Sequence, residues 1–220
     1  MRISIYFVII IIDFASIIGS VLLGETPQEF FEEGQFITWL SCVHLAVLCG
    51  ICLCSLLLLS HQEHRTADAK RKMLFWVLCC AGFFFLCADE WFEIHENLDF
   101  WLHHALGIKE THLTDRLDDL IVLLYGVLFA IGAFKFYKDV LECKGMVRWL
   151  VIALVLFLIM SFFDFLSNDD YLYQFLANDR GLDKEIGIIL GTIEDSFKLL
   201  AEGAFVIAFM EGFHSTLNKR

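Results

Sequence analysis

Six apolar stretches, each close to ~20 residues or longer, decide what this chain can fold into. Residues 3–23, 36–60, 73–92, 117–137, 147–166 and 193–213 each hold enough consecutive hydrophobic side chains to cross a hydrocarbon core of ~30 Å as a helix. A membrane barrel would instead show alternating segments of ~10 residues, and none is written here. The composition agrees, with 58% hydrophobic and only 20% charged residues among 220. The expected fold is all-α: a polytopic transmembrane helix bundle of six spans, forming a single domain over residues 1–220.

Basic residues set the expected orientation, because Lys and Arg are retained on the cytoplasmic side. Arg2, then Arg65, Lys70, Arg71 and Lys72, then Lys135, Lys138, Lys144 and Arg148, then Lys219 and Arg220 all fall on one side of a six-span arrangement. That is eleven of the 16 Lys and Arg. Lys109, Arg116, Arg180 and Lys184 fall on the other side, and Lys198 lies within a span. Both termini are therefore expected in the cytoplasm, with the protein in the plasma or inner membrane. The start "MRISIYFVIIII" has the look of a signal peptide, but Asp13 interrupts it and no clean small-residue cleavage site follows, so a retained first helix is expected.

The formal net charge of −12 is concentrated in the outer loops "GETPQEFFEEG", "IKETHLTD" and "SNDDYLYQFLANDRGLDKE". Such loops attract cations and repel nucleic acid, which is excluded as a partner. The expected partners are the lipid bilayer and a cation, and a homo-oligomer is compatible with the sequence. Seven of the eight cysteines, Cys42, Cys49, Cys52, Cys54, Cys79, Cys80 and Cys87, lie inside spans. Thiols there pack as small hydrophobes rather than as a disulfide framework, and "CGIC" lacks the usual setting of a redox or zinc motif.

Three helices open with acidic pairs: "EEGQFITWLSCVHL" from Glu32, "DDLIVLLYGVLFAI" from Asp118 and "EDSFKLLAEGAFVI" from Glu194. A constant offset aligns Asp119 with Asp195, Leu123 with Leu199 and Phe129 with Phe205, as a duplicated two-helix hairpin would. Carboxylates near a helix N-terminus are also favoured by the macrodipole, by ~0.3–1 kcal/mol each. Capping is the expected role of Glu32, Glu33 and Asp118, and Thr192 with Asp195 has capping-box spacing.

Capping does not reach the deeper ionisable residues. Asp13 and His44 lie midway along their spans, Asp164 interrupts "FLIMSFFDFL", and Lys198 and Glu202 follow Glu194 at i+4 and i+8 on one stripe. An ionisable group at bilayer depth costs ~2.5–3.5 kcal/mol unless it is paired or faces water. In a continuous helix Asp89, Glu93 and Glu96 form one stripe and Glu90, Glu93 and Asn97 its neighbour, with His95 pointing elsewhere. An outward-facing acidic pocket is expected from Asp89, Glu90, Glu93, Asp119, Asp164, Glu194, Asp195, Lys198 and Glu202. Lys198 alone cannot neutralise so many acids, so protons, a metal ion or water must supply the rest.

Carboxylates with few histidines suit a hard or intermediate divalent metal ion, for which Asp89, Glu93, His95, Asp119 and Asp195 are the candidate ligands. His103, His104 and His112 lie in the following outer loop, where they could close over the pocket. "HQEH", from His61 to His64, lies on the cytoplasmic side. No phosphate loop, nucleophile elbow or H-E-x-x-H zinc motif occurs.

The segment "ADEWFEIHENL", with "EDSFKLLAEGAF", resembles a pattern in uncharacterised bacterial multi-span membrane proteins, in which an Asp-Glu pair precedes Ile-His-Glu and a later helix carries acid pairs before Glu-Gly. The matching positions are Asp89, Glu90, Ile94, His95, Glu96, Glu194, Asp195, Glu202 and Gly203. The resemblance implies no activity. From the residues themselves, the expected function is cation binding, of a proton or divalent metal, for permeation or coupled transport. The alternatives are a metal-dependent membrane enzyme acting on a lipid-like substrate and a non-catalytic subunit of a membrane complex.

Overall fold

The computed structural model describes residues 2–32, 34–61, 67–107, 117–167 and 180–218. These form α1 (Arg2–Leu23), α2 (Phe36–Ser60), α3 (Ala67–Phe92), α4 (Ile94–Leu106), α5 (Leu117–Lys135), α6 (Tyr137–Leu141), α7 (Lys144–Ser167) and α8 (Arg180–Asn218), with no strand among the described residues. Helices α1, α2, α3 and α7 are long and apolar enough to cross a membrane.

Helix α1 shows which solvent the exterior is built for. Tyr6, Asp13 and Ser20, seven residues apart, are buried, while Phe7, Ile11, Phe14, Ile18 and Leu22 are exposed. A helix on a water-soluble protein turns its apolar stripe inward and its polar face outward. Here the polarity is inverted, as a lipid-facing helix requires.

Helix α8 is the axis of the bundle. It packs against α7 along most of their shared length, then against α2 and α1, while α2 pairs with α3. Leu199, Ala201, Ala204, Ile207 and Ala208 of α8 are almost fully buried, and alanines at this density let neighbouring backbones approach closely. Phe209, 1% exposed, is the centre of an aromatic cluster: it stacks on Phe75 and meets Trp76 and Phe83 edge to face. A smaller core of Phe31, Ile37 and Leu199 fastens the α1–α2 connection to α8.

Polar ties lock the end of the bundle that carries α6. Arg71 Nε and Nη2 donate to the two carboxylate oxygens of Asp139, each at 2.9 Å, and Lys72 pairs with Glu142 at 3.4 Å. Tyr6 Oη donates to Glu211 Oε1 at 2.7 Å. The Glu211 carboxylate lies against the backbone at Gly145, in the first turn of α7, where a negative charge is favoured. A side chain at Gly145 would displace it.

Two expected boundaries change. "IHENLDFWLHHAL" is not loop but the helix α4, set off from α3 by Glu93 in the left-handed region at φ 51°. Helix α8 begins at Arg180, well ahead of the expected residue 193. Thr192 is therefore interior, with Oγ1 donating back to Ile188 O at 2.7 Å, and Asp195 is no capping residue. Nor does Glu32 cap α2, whose first turn follows Gln35 without a side-chain cap. Glu33, His112 and most of "HQEH" lie outside the described residues, as do the side chains of Asp118 and Asp119.

Candidate functional site

The α3–α4 break organises one end of the site. A residue in the left-handed conformation ends the hydrogen-bond ladder of α3, and the groups freed there need partners. Asn97 Nδ2 supplies two, donating to Phe92 O at 3.0 Å and Glu93 O at 2.8 Å. Asp89 supplies another, accepting the His95 backbone N–H at Oδ1 and facing His95 Nδ1 with Oδ2, both at 3.0 Å. The buried Asp89 carboxylate thus holds the first turn of α4 and fixes its imidazole. The hydrogen bond to Asp89 and the charges of Asp89 and Glu96 raise the His95 pKa above its ordinary 6.5, against the opposing effects of burial and Lys198.

The break also dissolves the expected stripes. With the helix interrupted at Glu93, neither Asp89–Glu93–Glu96 nor Glu90–Glu93–Asn97 runs along a single face. Glu93 is exposed, and His95 points not elsewhere but at Asp89. Trp91 leaves the site, meeting Trp39 edge to face at 4.9 Å.

Deeper in the bundle, Lys198 Nζ donates to Glu90 Oε1 at 2.6 Å, joining α8 to α3. One turn further along α8, Glu202 Oε1 accepts from Ser41 Oγ of α2 at 2.7 Å. Its other oxygen, Oε2, faces His44 Nδ1 at 3.8 Å, and His44 Nε2 faces Asp13 Oδ1 of α1 at 3.3 Å. Asp13 is 2% exposed and His44 is 7% exposed. The second Asp13 oxygen lies against Gly203, where a methyl group would collide with it. Adjacent residues of α8 thus complete one site: Glu202 carries a carboxylate to the imidazole, and Gly203 leaves room for the opposite carboxylate.

The remaining expected residues are less closely drawn in. Glu194 and Asp195 are half-buried on the turn of α8 before Lys198. Phe163 stacks on Phe197 at 5.9 Å, which sets the half-buried Asp164 at the depth of Lys198. The backbone of Asp119 lies in the first turn of α5. Among the described residues, no three His, Cys, Asp or Glu side chains converge as metal ligands. His103 is turned inward to Asp99 at 2.9 Å, and His104 is exposed.

The sequence places Asp13 and His44 deep in their spans, but only the structure joins them to Glu202. The signals were the seven-residue recurrence of Tyr6, Asp13 and Ser20, the i, i+3 pair Ser41 and His44, and the dipeptide Glu202-Gly203. Each concerns a different helix, so none alone indicates the contact.

The family model of DUF8692, a domain of unknown function, matches residues 4–211, which include every group just described. No curated protein and no solved structure matches the chain.

Proposed function

We propose, for a chain that belongs to the DUF8692 family and takes no activity from it, an integral membrane protein of six spans whose polar interior binds a cation for permeation or coupled transport. One observation carries this reading: buried acids outnumber the bases that could neutralise them. Lys198 is engaged by Glu90, which leaves the carboxylates of Asp13 and Glu202 with one imidazole between them. Uncompensated charge at this depth is too costly to persist, so a mobile cation completes the balance.

In this reading α5 and α8 supply the fourth and sixth spans, and α3 with α5 and α7 with α8 descend from a duplicated hairpin. The end bearing α4 faces outward, and the basic end with both termini faces the cytoplasm of the plasma or inner membrane. Acids from α3, α7 and α8 line the approach from outside, at Asp89, Glu90, Asp164, Glu194 and Asp195, with Lys198 among them. Transport is favoured over metal-dependent catalysis because Asp89 and His95 engage each other, which commits both side chains to holding the α3–α4 corner.

Flux assays on the purified protein in liposomes test this, with dyes for protons, sodium, calcium and manganese. Flux of one of these cations, strongly reduced in Glu202→Gln, is the expected result. Stoichiometric bound metal without flux would instead overturn transport and favour a metal site.

A further inference from the structure

Building on the cation-transport reading, we propose that the cation is a proton and that Asp13, His44 and Glu202 form its relay at mid-depth in the bundle. The two nitrogens of the His44 ring face different carboxylates, Nε2 toward Asp13 on α1 and Nδ1 toward Glu202 on α8. The ring lies between the acids, and its two lone-pair directions diverge. A metal ion on either nitrogen could not be reached by the carboxylate at the other. A proton can use both.

Asp13 Oδ1, His44 Nδ1 and Glu202 Oε2 are all sealed from solvent without a completed hydrogen bond. Buried polar atoms are nearly always paired; here Nδ1 faces Oε2 and Nε2 faces Oδ1, both contacts on one imidazole, the side chain best suited to exchange a proton. The relay step balances simply. A proton on Glu202 passes to Nδ1 as the proton on Nε2 passes to Asp13, so Glu202 loses one, Asp13 gains one, and the ring exchanges tautomers without changing charge. Separations of 3.8 and 3.3 Å close to hydrogen-bond length through side-chain motion alone.

Other groups around the ring set its direction of loading. Lys198, bound to Glu90, lies ~6 Å from Glu202 along α8, on the side leading to α4. Cys42, two residues before His44 on α2, accepts from the Cys87 thiol of α3 at its carbonyl. Toward the opposite end, the Cys49 thiol of α2 donates to Cys80 O of α3 at 3.2 Å, and the next carboxylate on α8 is Glu211, bound by Tyr6, ~10 Å away along α1 and ~14 Å along α8. Leu48, Val206 and Phe209, almost fully buried, fill the interval. The relay is therefore reached through polar groups from the α4 end and separated from the α6 end by a mostly apolar layer, so a proton crosses only when that layer rearranges.

The test uses the full-length protein in phosphatidylcholine liposomes, with a pH-sensitive dye inside and a potassium diffusion potential as driving force. Inward proton flux is expected, falling by about a hundredfold in His44→Gln and in the near-isosteric Asp13→Asn. Infrared difference spectra between acid and alkaline pH supply a readout independent of transport. A protonated-carboxyl band is expected in the native protein and weakened in Asp13→Asn and Glu202→Gln. Sodium or divalent flux unaffected by His44→Gln, without proton flux, would overturn the proton assignment and leave the transport reading standing. A titrating band lost in both carboxyl variants, without flux of any cation, would uphold the proton site and overturn transport. Neither flux nor a titrating band would overturn both.

Discussion

Gly203 sits where a side chain cannot, because Asp13 Oδ2 occupies the space. Overpacking at a buried site costs about 1–3 kcal/mol, and Gly203→Ala is expected to destabilise the detergent-solubilised protein by that amount in reversible unfolding. Truncating the carboxylate should relieve the clash, so the double variant Gly203→Ala with Asp13→Ala should lose less than the two single losses combined. His95 makes a prediction of opposite chemistry. Its folded pKa is raised above its ordinary 6.5, so its pairing with Asp89 stabilises the fold fully below that value and is lost as pH rises through the raised one. The stability lost in His95→Gln should therefore be larger at pH ~5.5 than at pH ~9. An equal loss at both values would show that the imidazole charge is not involved.

At the scale of elements, the α3–α4 corner is held by a strained residue and by the side chains on either side of it. Glu93 adopts a backbone conformation that costs an ordinary residue ~1–2 kcal/mol and costs glycine almost nothing. Glu93→Gly is accordingly expected to raise stability by about 1 kcal/mol, read as a higher unfolding midpoint. Asn97→Ala, which frees two carbonyl groups at the same corner, is expected to lower it by a similar amount. The aromatic cluster where α3 meets α8 is a larger commitment. Phe209→Ala would leave a cavity between Phe75, Trp76 and Phe83, at a cost of about 3 kcal/mol, the low end for a buried Phe, since lipid is itself apolar.

For the whole molecule, the distribution of charge and the inverted polarity of α1 describe a bundle that is apolar outside and ionisable within. At one end Arg71 and Lys72 are tied to Asp139 and Glu142, while the other end gathers Asp89, Glu90, His95 and Lys198. If the orientation follows the positive residues, a cysteine introduced at exposed His104 reacts with an impermeant maleimide added outside intact cells. One introduced at exposed His61 should react only after permeabilisation. The reverse pattern would invert the direction in which the interior opens.

The four apolar helices α1, α2, α3 and α7 were legible in the sequence because bilayer depth imposes a length and an apolar composition that few other constraints produce. The local spacing of Glu194, Lys198 and Glu202 was legible too, since one helix fixes its own periodicity. What failed was the continuity of α3 past Glu93: six residues of charge and amide hide a left-handed corner whose partners, Asp89 and Asn97, are chosen by three-dimensional fit. The assembly of Asp13, His44 and Glu202 was not legible at all. Their side chains come from three helices, and which faces meet depends on how α1, α2 and α8 rotate against one another. The sequence by itself determined that ionisable groups lie deep in an apolar bundle; only the tertiary packing decided which acid faces which nitrogen, and that contact is where the chemistry resides.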